Sequence, residues 1–336
     1  MPAAFITALA GPKLEPEEKA VLRATRPCGI ILFARNVVDP AQVRRLSDAA
    51  REAVGHDILV LIDQEGGRVR RLHPPHWRKL PSAAAYGRLY AHDPAEACRA
   101  ARLAGQLTAM DLRAAGINTN CVPVLDVPAP GSHHIIGDRA YGESPQQVAA
   151  LGRAVAEGHM AGGVLPVIKH VPGHGRAMAD SHLELPVVSA GLGELERIDF
   201  APFRACADLP AAMTAHVVYE AIDKTHPAST SARLIADVIR SRIGFDGLLM
   251  SDDLGMKALS GSMAGRTRAV LDAGCDVALV CSGELADTEA AAEAAPPLRD
   301  AALVRYTRAC AVLQQGQDLN VADAENSLAQ ALRLQA

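Results

Sequence analysis

Two adjacent carboxylates, Asp252-Asp253, close the apolar run 248–251. Like charges side by side at the end of a buried element are costly unless they point apart or one of them performs chemistry. Asp252 is therefore a candidate for an attacking carboxylate that forms a covalent intermediate, while Asp253 caps the next turn or holds a neighbour. A purely structural pair is the competing reading. Asp180-Ser181-His182 offers the complementary function. A carboxylate two residues from an imidazole can orient the ring and raise its pKa from the reference of about 6.5, making it a proton donor near neutrality. The alternative is a surface loop in which these two residues have no role.

Other apolar runs also end in polar clusters. Asp63-Gln64-Glu65-Gly66-Gly67-Arg68-Val69-Arg70-Arg71 follows 58–62, Asp126 follows 118–125, Lys169-His170-Val171-Pro172-Gly173-His174-Gly175 follows 164–168, and His216 follows 211–215. Gly66-Gly67 lets the backbone bend sharply enough for Asp63 and the arginines after it to face one pocket, although an ordinary turn uses the same residues. Neither G-x-G-x-x-G nor G-x-x-x-x-G-K-[ST] occurs there, so nucleotide binding has no support. His170, His174, His182 and Asp180 are of metal-ligand type, but Pro172-Gly173 would break a helix carrying His170 and His174 on one face. A metallohydrolase barrel would also carry a His-x-His soon after its first strand, and none follows 4–9. We expect no metal and no cofactor.

Eight short apolar runs, at 4–9, 29–33, 58–62, 118–125, 164–168, 211–215, 248–251 and 277–281, are candidate strands. Their nearly continuous apolar character fits parallel strands covered by helices on the outside and buried within. Between them lie longer segments with helical spacing. Asp39-Pro40, Asp93-Pro94 and Ser144-Pro145 each set a capping oxygen before a proline suited to the first helical turn. After Pro40, Val43, Leu46, Ala50 and Val54 line one face and leave Arg44, Arg45 and Arg51 mostly outside it. Strand–helix units in series, with no Gly/Ser-rich linker between halves, favour a closed (β/α)8 TIM barrel over a doubly wound open sheet. Residues 1–336 then form a single catalytic domain, and the tail after Ser282 supplies the closing helix and an extra one. In such a barrel the active site gathers at the carboxyl ends of the strands, where the polar clusters fall.

The composition agrees. The 336 residues carry 34 basic and 38 acidic side chains, a net charge of −4, with 49% hydrophobic and 21% charged residues. That is a globular chain with no electrostatic signature of a nucleic-acid binder. Seven scattered cysteines without a Cys-x-x-Cys pair suit a reducing compartment. Residues 1–10 lack the basic flank of a secretory leader. No apolar stretch approaches the length of roughly 20 residues that spans a bilayer. The expectation is a cytoplasmic protein that binds neither membrane nor nucleic acid, and no partner protein is indicated.

Leu61-Ile62-Asp63-Gln64-Glu65-Gly66-Gly67-Arg68-Val69, the Lys169 to Gly175 motif with Asp180-Ser181-His182, and Ser251-Asp252-Asp253-Leu254 together resemble the signatures of glycoside hydrolase family three. Ile31-Leu32-Phe33-Ala34-Arg35-Asn36 and Ile136-Gly137-Asp138-Arg139 extend the likeness over nearly the whole chain, which is similar to the single-domain bacterial β-N-acetylglucosaminidases of peptidoglycan recycling. The resemblance implies a (β/α)8 barrel and retaining hydrolysis of terminal, non-reducing β-linked N-acetylglucosamine from 1,6-anhydro-muropeptides in the cytoplasm. By position it makes Asp252 the nucleophile and Asp180 with His182 the acid/base dyad. Asp63, Arg71, Arg139, Lys169 and His170 would hold the sugar hydroxyls and acetamido group. Val171 stands where relatives usually have phenylalanine, and Leu72 where an aromatic is common.

A retaining glycosidase ordinarily uses two carboxyl groups about 5 to 5.5 Å apart; here an imidazole would replace the second. With 3% aromatic residues there is no long stacking platform for polymeric glycan, so a small soluble muropeptide or N-acetylglucosaminide is the expected substrate. Two other readings are a β-N-acetylglucosaminide phosphorylase, because a neutral base repels phosphate less than a carboxylate does, and a non-catalytic sugar-binding protein.

Overall fold

The computed structural model describes residues 1–131, 135–177, 184–314, 316–317 and 319–333. In chain order the strands are β1 (Ala3–Ala8), β2 (Pro27–Leu32), β3 (Leu59–Ile62), β4 (Thr119–Asn120), β5 (Leu165–Pro166), β6 (Ile168–Val171), β7 (Val187–Val188), β8 (Ala211–Thr214), β9 (Val218–Tyr219), β10 (Leu248–Asp253) and β11 (Val277–Val280). All except β7 and β9, which pair with each other, belong to one sheet ordered β5-β4-β3-β2-β1-β11-β10-β8-β6. Every pairing between its strands is parallel. β5 and β6 are two halves of one strand position, separated only by Val167; the first half pairs with β4 and the second with β8. The sheet therefore closes into the expected (β/α)8 barrel, not an open doubly wound sheet.

Alternation along the strands explains why the apolar runs look continuous. Leu59 and Leu61, Leu165 and Val167, Ala211 and Met213, Leu248 and Met250, and Val277 and Leu279 fill the barrel interior. Residues between or beside them, such as Val60, Ile62, Ala212, Leu249, Ala278 and Val280, pack outward beneath the helices. The three sequence-predicted helix starts are present. Asp39 accepts from Gln42 N (2.8 Å), Asp93 from Glu96 N (2.9 Å) and Ser144 from Gln147 N (3.3 Å), ahead of helices Pro40–Val54, Pro94–Ala114 and Pro145–Ala161. On the first of these Val43, Leu46, Ala50 and Val54 are buried, with Arg44 and Arg45 exposed.

The tail does more than close the ring. Pro296 O accepts from Ala4 N and Pro2 O from Leu298 N, both at 2.8 Å, and Leu298, Tyr306, Ala309 and Val312 join the interior cluster. Helix Asp300–Cys310 thus plugs the amino end of the barrel, with the Tyr306 hydroxyl donating to Cys28 O at 2.9 Å. Helices Leu285–Ala294 and Val321–Leu332 precede and follow it in the chain, one helix more than the sequence suggests. No helix among the described residues is long and apolar enough to cross a membrane.

Two strands differ from expectation for one reason. The run 118–125 forms a ladder only at Thr119–Asn120. Pro123 lacks an N–H. It offers its carbonyl to Lys169 N (3.0 Å), and Lys169 O accepts from Leu125 N (2.7 Å). This extends β6 to Val171, so Lys169 and His170 lie within a strand and not in the loop after it.

Gly175 packs so closely against the chain that follows β4 that a Cβ there would collide with the Val127 carbonyl, whereas one at Gly191 would meet nothing within 4 Å. Gly175→Ala is expected to lose about 1–3 kcal/mol in urea unfolding, the usual cost of forced overpacking, while Gly191→Ala changes stability little.

Candidate active site

The open carboxyl end of the barrel holds a cavity of about 350 Å³. Ile31, Met213 and Leu279 from the interior layer form part of its apolar lining, with Phe33 and Met256 among the others, and Asp63, Glu65, Arg71, Arg139, Lys169, His170 and Asp252 line it together. Six residues singled out from the sequence, namely Asp63, Arg71, Arg139, Lys169, His170 and Asp252, thus converge on one space. Asp180 and His182 lie outside the described residues.

The chain after β3 turns at Gly66 (φ 94°) and Gly67 (φ 57°). That region of backbone space suits glycine. Gln64 staples the turn: its Oε1 accepts from Arg71 N (2.9 Å) and Leu72 N (3.0 Å), and its Nε2 donates to Leu72 O (3.0 Å). Asp63, Glu65, Arg68 and Arg71 consequently face the cavity. Arg70 turns aside to donate to Gly67 O at 2.7 Å.

A buried ionic cluster spans that turn and β6. Lys169 Nζ lies 2.8 Å from Asp63 Oδ1 and 2.7 Å from Glu65 Oε1. Arg71 reaches Asp63 Oδ2 at 3.0 Å, and Arg139 grips both oxygens of Glu65 at 2.8 Å. Burial alone would push both carboxyls up, but Lys169 and Arg71 outweigh it at Asp63, which falls well below the usual carboxylate range. Lys169 and Arg139 bring Glu65 down to about 2. Burial likewise disfavours the Lys169 cation, and its two carboxylate partners more than restore it.

On the opposite side, fully buried Asp126 organises the histidine segment. Its Oδ2 lies 2.7 Å from His170 Nδ1, and its Oδ1 accepts from His170 N (3.2 Å) and His174 N (2.7 Å). Bound to a carboxylate, His170 Nδ1 carries the ring proton. Against the effect of burial, His170 and His174 hold Asp126 at about 2. His174 is itself pushed down to about 4, first by burial and then by His170, whose ring it meets edge-on at 5.6 Å.

The adjacent acids at the end of β10 diverge. Asp253 Oδ1 accepts from Gly255 N (2.8 Å) and Cys281 N (3.0 Å), tying the turn to the end of β11. Asp252 accepts from Asp253 N (2.8 Å). Burial pushes Asp252 upward, yet His170, His216, the Asp253 N–H and Lys169 carry it below its ordinary value, whereas burial and Asp252 raise Asp253. Buried His216 braces this backbone. Its Nε2 donates to Asp253 O (3.0 Å), which leaves Nδ1 to accept from Ser229 Oγ (2.7 Å). One ring nitrogen donating fixes the other as the acceptor of the neutral imidazole. The site therefore presents an ionised carboxylate beside fixed hydrogen-bond donors, the arrangement that nucleophilic attack on an electron-poor carbon requires.

The glycosyl hydrolase family 3 N-terminal domain matches residues 4–308. The chain belongs to family 3. A β-hexosaminidase of Bordetella pertussis is 40% identical over 290 residues, 85% of this chain and 82% of that protein. The crystal structure of NagZ from Neisseria gonorrhoeae in complex with N-trifluoroacetyl-D-glucosamine superposes with a TM-score of 0.88 at 32% identity, covering 99% of this chain and 98% of that one. A family 3 β-N-acetylglucosaminidase from Paenibacillus gives 0.86 at 30% identity, covering 98% of this chain and 66% of that one.

Within this family 3 site, Glu65 and Asp126 are residues that sequence reasoning quoted but did not assign. Their positions at strand ends are visible, but their partners stand 74 residues away for Glu65–Arg139 and 44 residues away for Asp126–His170. Val171 and Leu72, the two departures from the usual pattern, are both fully buried in packing clusters. Among the described residues no three His, Cys, Asp or Glu side chains are grouped to hold a metal ion.

Removing the shared cation should expose the electrostatics. Because Asp63 and Glu65 are depressed, their stabilisation is complete above the unfolded value of 4.5 for Glu65 and fades as pH falls toward about 2. Lys169→Met is expected to cost about 3–5 kcal/mol near neutrality. In urea unfolding followed between about pH 8 and pH 3, that deficit should narrow on acidification as the stranded carboxylates take up protons; a pH-independent deficit would contradict the cluster.

Proposed function

We propose that this protein is a retaining exo-β-N-acetylglucosaminidase that releases terminal, non-reducing β-linked N-acetylglucosamine from 1,6-anhydro-muropeptides in cytoplasmic cell-wall recycling. The observation that carries the reading is Asp252, an ionised, buried carboxylate beside Lys169 and His170 on the wall of a cavity whose barrel is plugged at the far end. A cavity of about 350 Å³ is at the small end of small-molecule pockets and suits one sugar residue better than a run of several. The family, the β-hexosaminidase and β-N-acetylglucosaminidase relatives, and the glucosamine derivative in the Neisseria complex support an N-acylated amino sugar as the residue bound.

In this reading Asp252 attacks the anomeric carbon while the bond to the leaving oxygen breaks. His182 gives that oxygen a proton, and the product is a glycosyl ester on Asp252. His182, now neutral, removes a proton from water, which attacks the same carbon and frees Asp252 with net retention. Asp180 stabilises the ring in its charged form, before the first proton transfer and after the second. Asp63, Arg71, Arg139, Lys169 and His170 hold the sugar, and their directed donors and acceptors reject sugars that lack matching groups. Water is the only co-reactant.

The test is turnover of an aryl β-N-acetylglucosaminide. Asp252→Ala is expected to abolish it in a protein that still folds, and His182→Ala to cost about 10² to 10⁴ in rate. Wild-type-like turnover in Asp252→Ala would remove the nucleophile assignment.

A further inference from the structure

We propose that Asn120, oriented by His159, is a positioning residue that holds the Asp63–Glu65 edge of the site. The inference rests on the reading above, in which that edge contacts the sugar.

The ladder between β3 and β4 ends at the pair Ile62 and Asn120. One step further the Asn120 side chain takes over, its amide standing in for the peptide of a longer strand. Oδ1 accepts from Gln64 N at 2.9 Å, and Nδ2 donates to Gln64 O at 3.0 Å. Gln64 is the residue between Asp63 and Glu65, and its own side chain fixes Arg71 N and Leu72 N. Both peptide groups of the acidic edge are thus held from below by one amide, and the return of the chain to Arg71 is held by the next.

An amide can bind a peptide this way in only one of its two flips. His159, on the outer helix Pro145–Ala161, selects it. Its Nδ1 donates to Val155 O (2.9 Å), so Nε2 is the acceptor for Asn120 Nδ2 at 3.0 Å. Burial pushes this histidine down to about 4, which keeps the acceptor available at neutral pH. Asn120 and His159 are both buried, and the neighbouring helix leaves room for the ring: a Cβ at Gly105 would stand 3.1 Å from His159 Nδ1. Neither residue reaches the cavity, so they act through Gln64 alone.

Contacts of the sugar with this edge are made alike in the ground and transition states, so their loss appears in KM more than in kcat. In steady-state kinetics on an aryl β-N-acetylglucosaminide, Asn120→Ala and His159→Leu are expected to raise KM about tenfold while kcat stays within about threefold. His159→Gln, whose amide oxygen can accept from Asn120, is expected to return KM to within about threefold of wild type. A purely structural role would lower stability in all three and leave KM unmoved. If Asn120→Ala does not fold, the His159 pair decides. Wild-type KM in folded His159→Leu, or an equal rise in the Gln and Leu variants, overturns the proposal. Turnover by the unmutated enzyme and weakened sugar binding in Asp63→Ala are the two controls: failure of either would count against the reading of the site itself, separately from Asn120.

Discussion

Asp63, Glu65, Asp126 and Asp252 crowd the mouth of the barrel, where burial alone would drive each to take up a proton. Each is kept charged by its own partners. Lys169 serves two of them at once, Arg71 and Arg139 complete their coordination, Asp126 accepts from the His170 ring and the His174 N–H, and Asp252 accepts from the Asp253 N–H. A buried ion cluster of this kind is worth little as net stabilisation, because desolvation consumes most of the Coulomb gain. Its value is preorganisation. Donors and acceptors stand in fixed directions before any ligand arrives, so they need not reorganise to meet one.

The fold follows from that requirement as much as it permits it. Four carboxylates can meet only where several strands end together, and a closed parallel barrel brings all its carboxyl ends to one rim. At the amino end, helix Asp300–Cys310 contributes apolar side chains to the interior, and its Arg305 joins Arg240 on the single buried carboxylate of Asp276. Between these ends the interior layer of Ile31, Met213 and Leu279 separates a dry core from a polar site. His216 and Asp253, neither assigned a role in the chemistry, spend their hydrogen bonds on the backbone that carries Asp252.

What sequence reasoning recovers is what local physics writes down. The eight strand positions are legible because burial on both faces leaves a continuous apolar run, and the helix starts because Asp39, Asp93 and Ser144 sit before prolines. The site is legible as a set of residues at strand ends, but not as a set of partnerships. Spacing cannot separate Asp252 from Asp253; what separates them is the Cys281 amide, 28 residues along and on the neighbouring strand, which occupies Asp253. Asn120 carries no local signal either, since it falls inside the run 118–125 that reads as one strand, and its partner Gln64 is 56 residues away. The misjudged boundary at Lys169-His170 has the same origin: β6 is prolonged by bonds to residues 123 and 125, a tertiary pairing that no local pattern announces.

The proposed reaction turns on a covalent bond to Asp252. Incubation with a 2-fluoro or 5-fluoro glycosyl trap, followed by peptide mass mapping, should label the peptide carrying Asp252 at that residue. A label on Asp253 or Asp63, or turnover with inverted configuration and no label, would contradict it.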